Sequence, residues 1–92
     1  MDEEQLKTQS IDTKQTFWLN VERYMQLNGI SVYTLSKRID SKQTVVNELM
    51  HKKSNIPIGS VSKYARALEV QPIDLFEVWS DEEWQTMRKE QS

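Results

Sequence analysis

His51 is the single histidine of the chain, and it stands beside Lys52 and Lys53 with no carboxylate partner in its stretch. A histidine base works when a neighbouring group orients it. His51 therefore reads as a helix-end residue or a phosphate contact. Asp81, Glu82 and Glu83 bring three carboxylates together directly after Ser80. That is where a helix dipole favours acids, so they read as a solvated helix start. There is no cysteine, which excludes a disulfide framework and a thiolate metal site. No phosphate-cradling glycine loop, zinc-ligand spacing or nucleophile elbow is present. Catalysis finds little support, and neither a cofactor nor a metal is expected. A different chemistry stands at Lys42, Gln43, Thr44 and Asn47. The amides of Gln43 and Asn47 can pair with adenine in a bidentate way. Thr44 offers a hydroxyl and a methyl that suit thymine, and Lys42 can reach guanine or a phosphate. Standing alone, these would be the ordinary surface of a small helix.

Charge sets that segment apart. Ile30 to Leu68 holds seven cations (Lys37, Arg38, Lys42, Lys52, Lys53, Lys63, Arg66) against two acids (Asp40, Glu48), a net of +5 in a chain of −2. Residues 1–29 sum to −2, three cations against five acids, and residues 69–92 to −5, two against seven. Salt screens charges beyond roughly 8 Å at physiological ionic strength, so a nearby polyanion meets the local basic centre rather than the acidic total. At 92 residues the chain is one domain with one modest core. The acidic start Met1-Asp2-Glu3-Glu4 is not a signal peptide. No stretch approaches the roughly 20 apolar residues of a membrane span. A cytoplasmic protein with no membrane partner is expected.

Two glycines and two prolines are too few for the turns of a β-rich fold, so the chain reads as all-α. Residues 1–12 are expected to form a flexible arm, residues 13–78 the domain, and residues 79–92 an acidic C-terminal helix or tail. A first helix is predicted over Thr13–Asn28, with Phe17, Val21, Tyr24, Met25 and Asn28 on one face and Gly29 as its cap. A second follows the N-cap Ser31 and turns inward Leu35 and Ile39, with Ser36 small enough for close packing. Asp40-Ser41 makes a turn. A third runs from about Lys42 to His51, with Val46, Leu49 and Met50 inward. After the basic loop Lys52–Pro57, a fourth covers about Ile58–Leu68. A fifth opens at Pro72 and carries Leu75 and Phe76. Ser80 and Glu83 have capping-box spacing, and they start a sixth helix to about Lys89 that bears Trp84 and Met87.

From Phe17 to Phe76, about 60 of 92 residues, the chain resembles without gaps the lambda-repressor-like (Cro/C1, XRE) helix-turn-helix family. The resemblance is carried by Ile30-Ser31, Leu35-Ser36, the Asp40 turn, Val46, Leu49, Lys53-Ser54-Asn55, Ala65-Arg66-Ala67-Leu68-Glu69-Val70 and Leu75-Phe76. It implies a five-helix domain whose third helix reads DNA, here with an additional C-terminal helix. The departures are specific. Val32 stands where the family often has a phosphate-contacting Gln. Asp40 and Lys52 stand where it has Gly, at the turn and after helix three. Glu48 occupies a slot that can face DNA, where it can accept from cytosine N4 or repel phosphates. The family's Arg–Glu pair between helices one and three is replaced by Met25 and Met50, which are expected to touch.

The resemblance implies a sequence-specific, DNA-binding transcriptional regulator of bacterial or phage type. Lys42, Gln43, Thr44 and Asn47 would read bases. Ser41, Lys52, Lys53, Ser54 and Asn55 would hold phosphates, with Lys37 and Arg38 adding long-range attraction. Such regulators usually bind double-stranded DNA as homodimers on two half-sites. The rival is an interaction module, antitoxin-like or inhibitor-like, that uses the same fold to grip a protein partner. Trp79, Trp84 and Met87 add aromatic and apolar surface beyond the core, and Trp18 lies outside the first helix's stripe. These four residues are expected either to fold the last helix back onto helix one or to form a two-fold dimer contact. The dimer contact is the favoured outcome.

Overall fold

The computed structural model describes residues 12–91, so the arm expected over residues 1–12 lies, apart from Asp12, outside the described residues. The described chain is all-α: α1 (Thr13–Asn28), α2 (Val32–Arg38), α3 (Gln43–Lys52), α4 (Ile58–Leu68), a 3-10 helix (Pro72–Phe76) and α5 (Asp81–Gln91). The fifth predicted helix is thus a 3-10 turn, as befits five residues opened by proline.

The caps explain the boundaries. Asp12 accepts from the backbone N–H of Lys14 and Gln15 at 3.0 and 3.3 Å, and Gly29 ends α1 at φ 65°. Ser31 Oγ accepts from Thr34 N–H at 3.1 Å at the start of α2. At α5, Glu83 N–H donates to Ser80 Oγ at 3.0 Å, and Ser80 N–H donates to Glu83 Oε1 at 2.9 Å, closing the capping box. Hydrogen bonding from the Ser80 backbone N–H, and after it from the Ser80 hydroxyl, holds the Glu83 carboxyl below its ordinary value.

α1 is the central element. Phe17, Trp18, Asn20, Val21, Arg23, Tyr24 and Met25 are all buried, an arc far wider than one apolar stripe. The helix is covered from several sides. Trp18 and Phe17 meet Tyr64 of α4 edge-on, with ring centroids 5.5 and 5.6 Å apart. Asn20 Nδ2 donates to the carbonyls of Leu75 and Glu77 at 3.0 and 2.8 Å, tying the 3-10 segment across the helix. Tyr24 meets Trp84 of α5 edge-on at 5.1 Å. α2 and α3 add Leu35, Ile39 and Val46, and α4 adds Val61, Ala65, Ala67 and Leu68. Met25 is buried and Met50 half-buried, and both line one surface groove between α1 and the start of α2. Of the two apolar residues carried by the 3-10 segment, Leu75 is buried and Phe76 is 38% exposed.

α5 folds back onto α1. Trp84 is 5% exposed. Arg23 lies over its ring at 5.6 Å, bonds the Trp79 carbonyl at 3.2 Å and pairs with Asp81 at 2.7 Å. Trp79 and Met87 are half-buried beside it. Of the two roles expected for these residues, the fold-back is the one seen in the single chain, and Trp18 takes no part in it. The stripe that left Trp18 outside was drawn too narrow for a helix covered on several sides. Trp84→Ala removes the apolar anchor of α5 and should cost about 3–5 kcal/mol. Thermal unfolding followed by circular dichroism checks this, and a melting curve unchanged from wild type would refute the fold-back.

Candidate nucleic-acid interface

The helix pair is set by small residues and a left-handed turn. Ser36 is buried at 2% exposure, and its hydroxyl donates to Tyr33 O at 2.7 Å. Ile39 N–H closes α2 on Leu35 O at 3.1 Å, and Asp40 turns the chain at φ 56°. Ser41 N–H then returns to Ser36 O at 2.9 Å. Lys42 is not the first helical residue but the extended N-cap of α3. Its side chain does no capping, and its carbonyl accepts from Val46 N–H at 3.1 Å.

Val46 anchors α3 at 0% exposure, with Leu49 and Met50 half-buried beside it. At about 100° per residue, the face opposite these three is centred on Thr44 and Glu48, with His51 one turn on. Gln43 and Asn47 lie on one flank of that face and Val45 and Lys52 on the other. All seven are exposed. Of the base-reading set predicted from sequence, Gln43, Thr44 and Asn47 are therefore on the free surface of one helix, and Lys42 is exposed at its N-cap. Glu48 belongs to the middle of that surface. Its carboxylate pairs with Lys52 Nζ at 2.8 Å, both side chains 63% exposed. The hydrogen bond and the opposite charge hold the Glu48 carboxyl below its ordinary range and the Lys52 amine above its own.

The phosphate set flanks the helix at both ends. Ser41 precedes α3, Lys52 is its last residue, and Lys53, Ser54 and Asn55 follow it. The left-handed residue after α3 is Lys53, at φ 51° and ψ 49°, not Lys52 as expected. The helix runs one residue further than predicted, and Lys53 N–H and Ser54 N–H close its end on Met50 O and Leu49 O at 3.3 and 3.1 Å. Ser54 O then accepts from Trp18 Nε1 at 2.9 Å. Trp18 is 0% exposed, so this bond fixes the basic loop to the centre of the core. The loop's outer residue, Asn55, is exposed. Arg38, expected as a long-range cation, bonds the Ala67 carbonyl at 2.7 Å and supports the end of α4. Lys37 lies over the Tyr33 ring at 5.0 Å. Lys42, Lys63 and Arg66 are exposed cations of the same basic segment. Sequence reasoning missed the anchoring roles of Trp18, Asn20 and Arg23, whose only sequence signal was a polar or bulky residue off the expected stripe.

The fold agrees with the family comparison. Residues 20–81 match the model of the Cro/C1-type HTH DNA-binding domain. The chain belongs to that family. No curated protein and no solved structure matches it. Among the described residues no group of three or more His, Cys, Asp or Glu side chains is placed to hold a metal ion, and no helix is long and apolar enough to cross a membrane.

Lys53 tests how the end of α3 is built. A non-glycine residue in the left-handed region costs about 1–2 kcal/mol, and glycine gives back part of that gain through unfolded-chain entropy. Lys53→Gly should therefore stabilise the domain by up to about 1 kcal/mol and raise Tm by a few degrees. A lowered Tm in scanning calorimetry would contradict the assigned backbone.

Proposed function

We propose that the protein is a sequence-specific DNA-binding transcriptional regulator of bacterial or phage type. It works by binding, not catalysis, in the cytoplasm of a bacterial cell or phage-infected host. The observation that carries the reading is the outer face of α3. It bears hydrogen-bonding side chains and no large buried contact, and it is bracketed by Ser41 on one side and Lys52 to Asn55 on the other. A helix of this width enters the major groove, and its first turns meet base edges. Gln43, Thr44 and Asn47 are the base readers, with Lys42 shared between base and phosphate. Ser41, Lys52, Lys53, Ser54 and Asn55 set the helix on the backbone. The rival, a protein-gripping module of the same fold, draws support from the carboxylate of Glu48 on that face, and it predicts no base preference.

The two contact classes separate by mutation. Gln43→Ala should lose about 1–3 kcal/mol at one base pair and relax preference there. Lys53→Gly should weaken binding to every duplex and flatten the salt slope by about one unit, although the same change stabilises the fold. Fluorescence anisotropy on a duplex panel at several salt concentrations reads both. Wild-type behaviour of both variants on every duplex would remove α3 from the reading role.

The functional unit proposed is a homodimer on two half-sites. With Trp84 held against its own α1, the contact falls elsewhere. An apolar groove of about 470 Å³ beside Ser54 and Asn55 is the surface suited to it. Phe17, Ile56 and Phe76 line it, and Ile58 stands 88% exposed at its edge. Ile58→Lys should leave the melting curve unchanged, because so exposed a side chain contributes little to the monomer. In sedimentation on a two-half-site duplex it should turn cooperative two-chain binding into independent single-chain binding. Cooperative binding that persists would exclude this surface.

A further inference from the structure

Glu48 sits at the centre of the outer face of α3, one helical turn beyond Thr44, and Lys52 follows it by another turn. A carboxylate at the middle of a DNA-facing surface is electrostatically unfavourable unless something compensates it. Here Lys52 Nζ does so at 2.8 Å on Oε1, so the two residues form a neutral unit. Among the described residues no other side chain bonds either of them, which leaves Oε2 and two of the three ammonium protons available. The unit therefore shows an acceptor next to donors, beside Asn47 and in the same i, i+4 row along the helix as Thr44.

We infer that Glu48 and Lys52 together select a C·G base pair in the major groove. Oε2 of Glu48 accepts from the cytosine N4 amino group, and the remaining Lys52 protons meet guanine O6 and N7. The inference rests on the proposed role of α3, adds to it a base identity and Glu48, and moves Lys52 from the phosphate set to base reading. The chemistry discriminates. Cytosine N4 is a donor with no acceptor beside it on its own base, and guanine gives two adjacent acceptors. Adenine places its N7 acceptor next to the N6 donor, against a carboxylate, and thymine brings a methyl group to a charged pair. A carboxylate that only repelled phosphates would lower the affinity for all duplexes alike and favour no base.

The test uses the full chain and Glu48→Gln, a substitution at a 63% exposed side chain that keeps size and leaves the helix intact. Both are measured on the duplex that wild type enriches from a random library, and on all its single-base-pair variants. Wild type should prefer C·G at one position by about tenfold. Glu48→Gln should keep every other preference and shift that position to A·T, because glutamine pairs with adenine N6 and N7. Lys52→Ala should lower the same C·G preference severalfold. If Glu48→Gln tightens binding to all variants equally and changes no preference, Glu48 is only a repelling charge and this inference fails while the reading role of α3 stands. If wild type enriches no motif at all, both fail.

Discussion

The indole N–H of Trp18 is the constraint around which the domain is arranged. A buried indole needs an acceptor, because an unpaired N–H in the core costs about 1–3 kcal/mol. Its acceptor is the carbonyl of Ser54, which lies in the loop leaving α3. The ring itself fills the space between α1 and α4, against Phe17 and Tyr64. Core packing and the placement of the basic loop are therefore one interaction. The loop cannot move outward without orphaning the indole, and the indole cannot turn without opening the core. That is a rigid mounting for groups whose proposed task is to meet phosphates at fixed positions.

The second consequence concerns which surface remains free. α1 is covered by α4, by the 3-10 segment through Asn20, and by α5 through Arg23 and Tyr24. α3 has no such cover. It buries Val46 fully and Leu49 and Met50 in part, and shows the rest of its circumference to solvent. At the start of α5, Asp81 pairs with Arg23 of α1. The net-positive stretch Ile30–Leu68 comprises α2, α3, the loop after α3 and α4, and the acid-rich stretch that follows it ends in α5.

Much of this was legible in the sequence where a local rule was in play. Gly29, Ser31 and the Ser80–Glu83 box fix helix ends through backbone bonds within three or four residues, and their effect needs no tertiary knowledge. The inward set of α3 followed from spacing alone. Trp18 was misplaced because one stripe was assumed for a helix that packs on several sides. The end of α3 was set one residue short because Lys53, not Lys52, takes the left-handed conformation that glycine would adopt at less cost. Glu48 stands opposite the inward set Val46, Leu49 and Met50, so its central place was legible in the spacing, although the base-reading set left it out. The fold-back of Trp84 depends on Arg23, a residue whose charge hid its burial.

The central claim is that the outer face of α3 reads base edges. Selection from a random duplex library, repeated at two salt concentrations, tests it most directly. Phosphate contacts weaken with salt on every sequence, whereas base contacts persist as a preference. The account predicts one enriched motif, the same at both concentrations, even as overall affinity falls. Binding that is weak, salt-sensitive and without a motif at either concentration would contradict it.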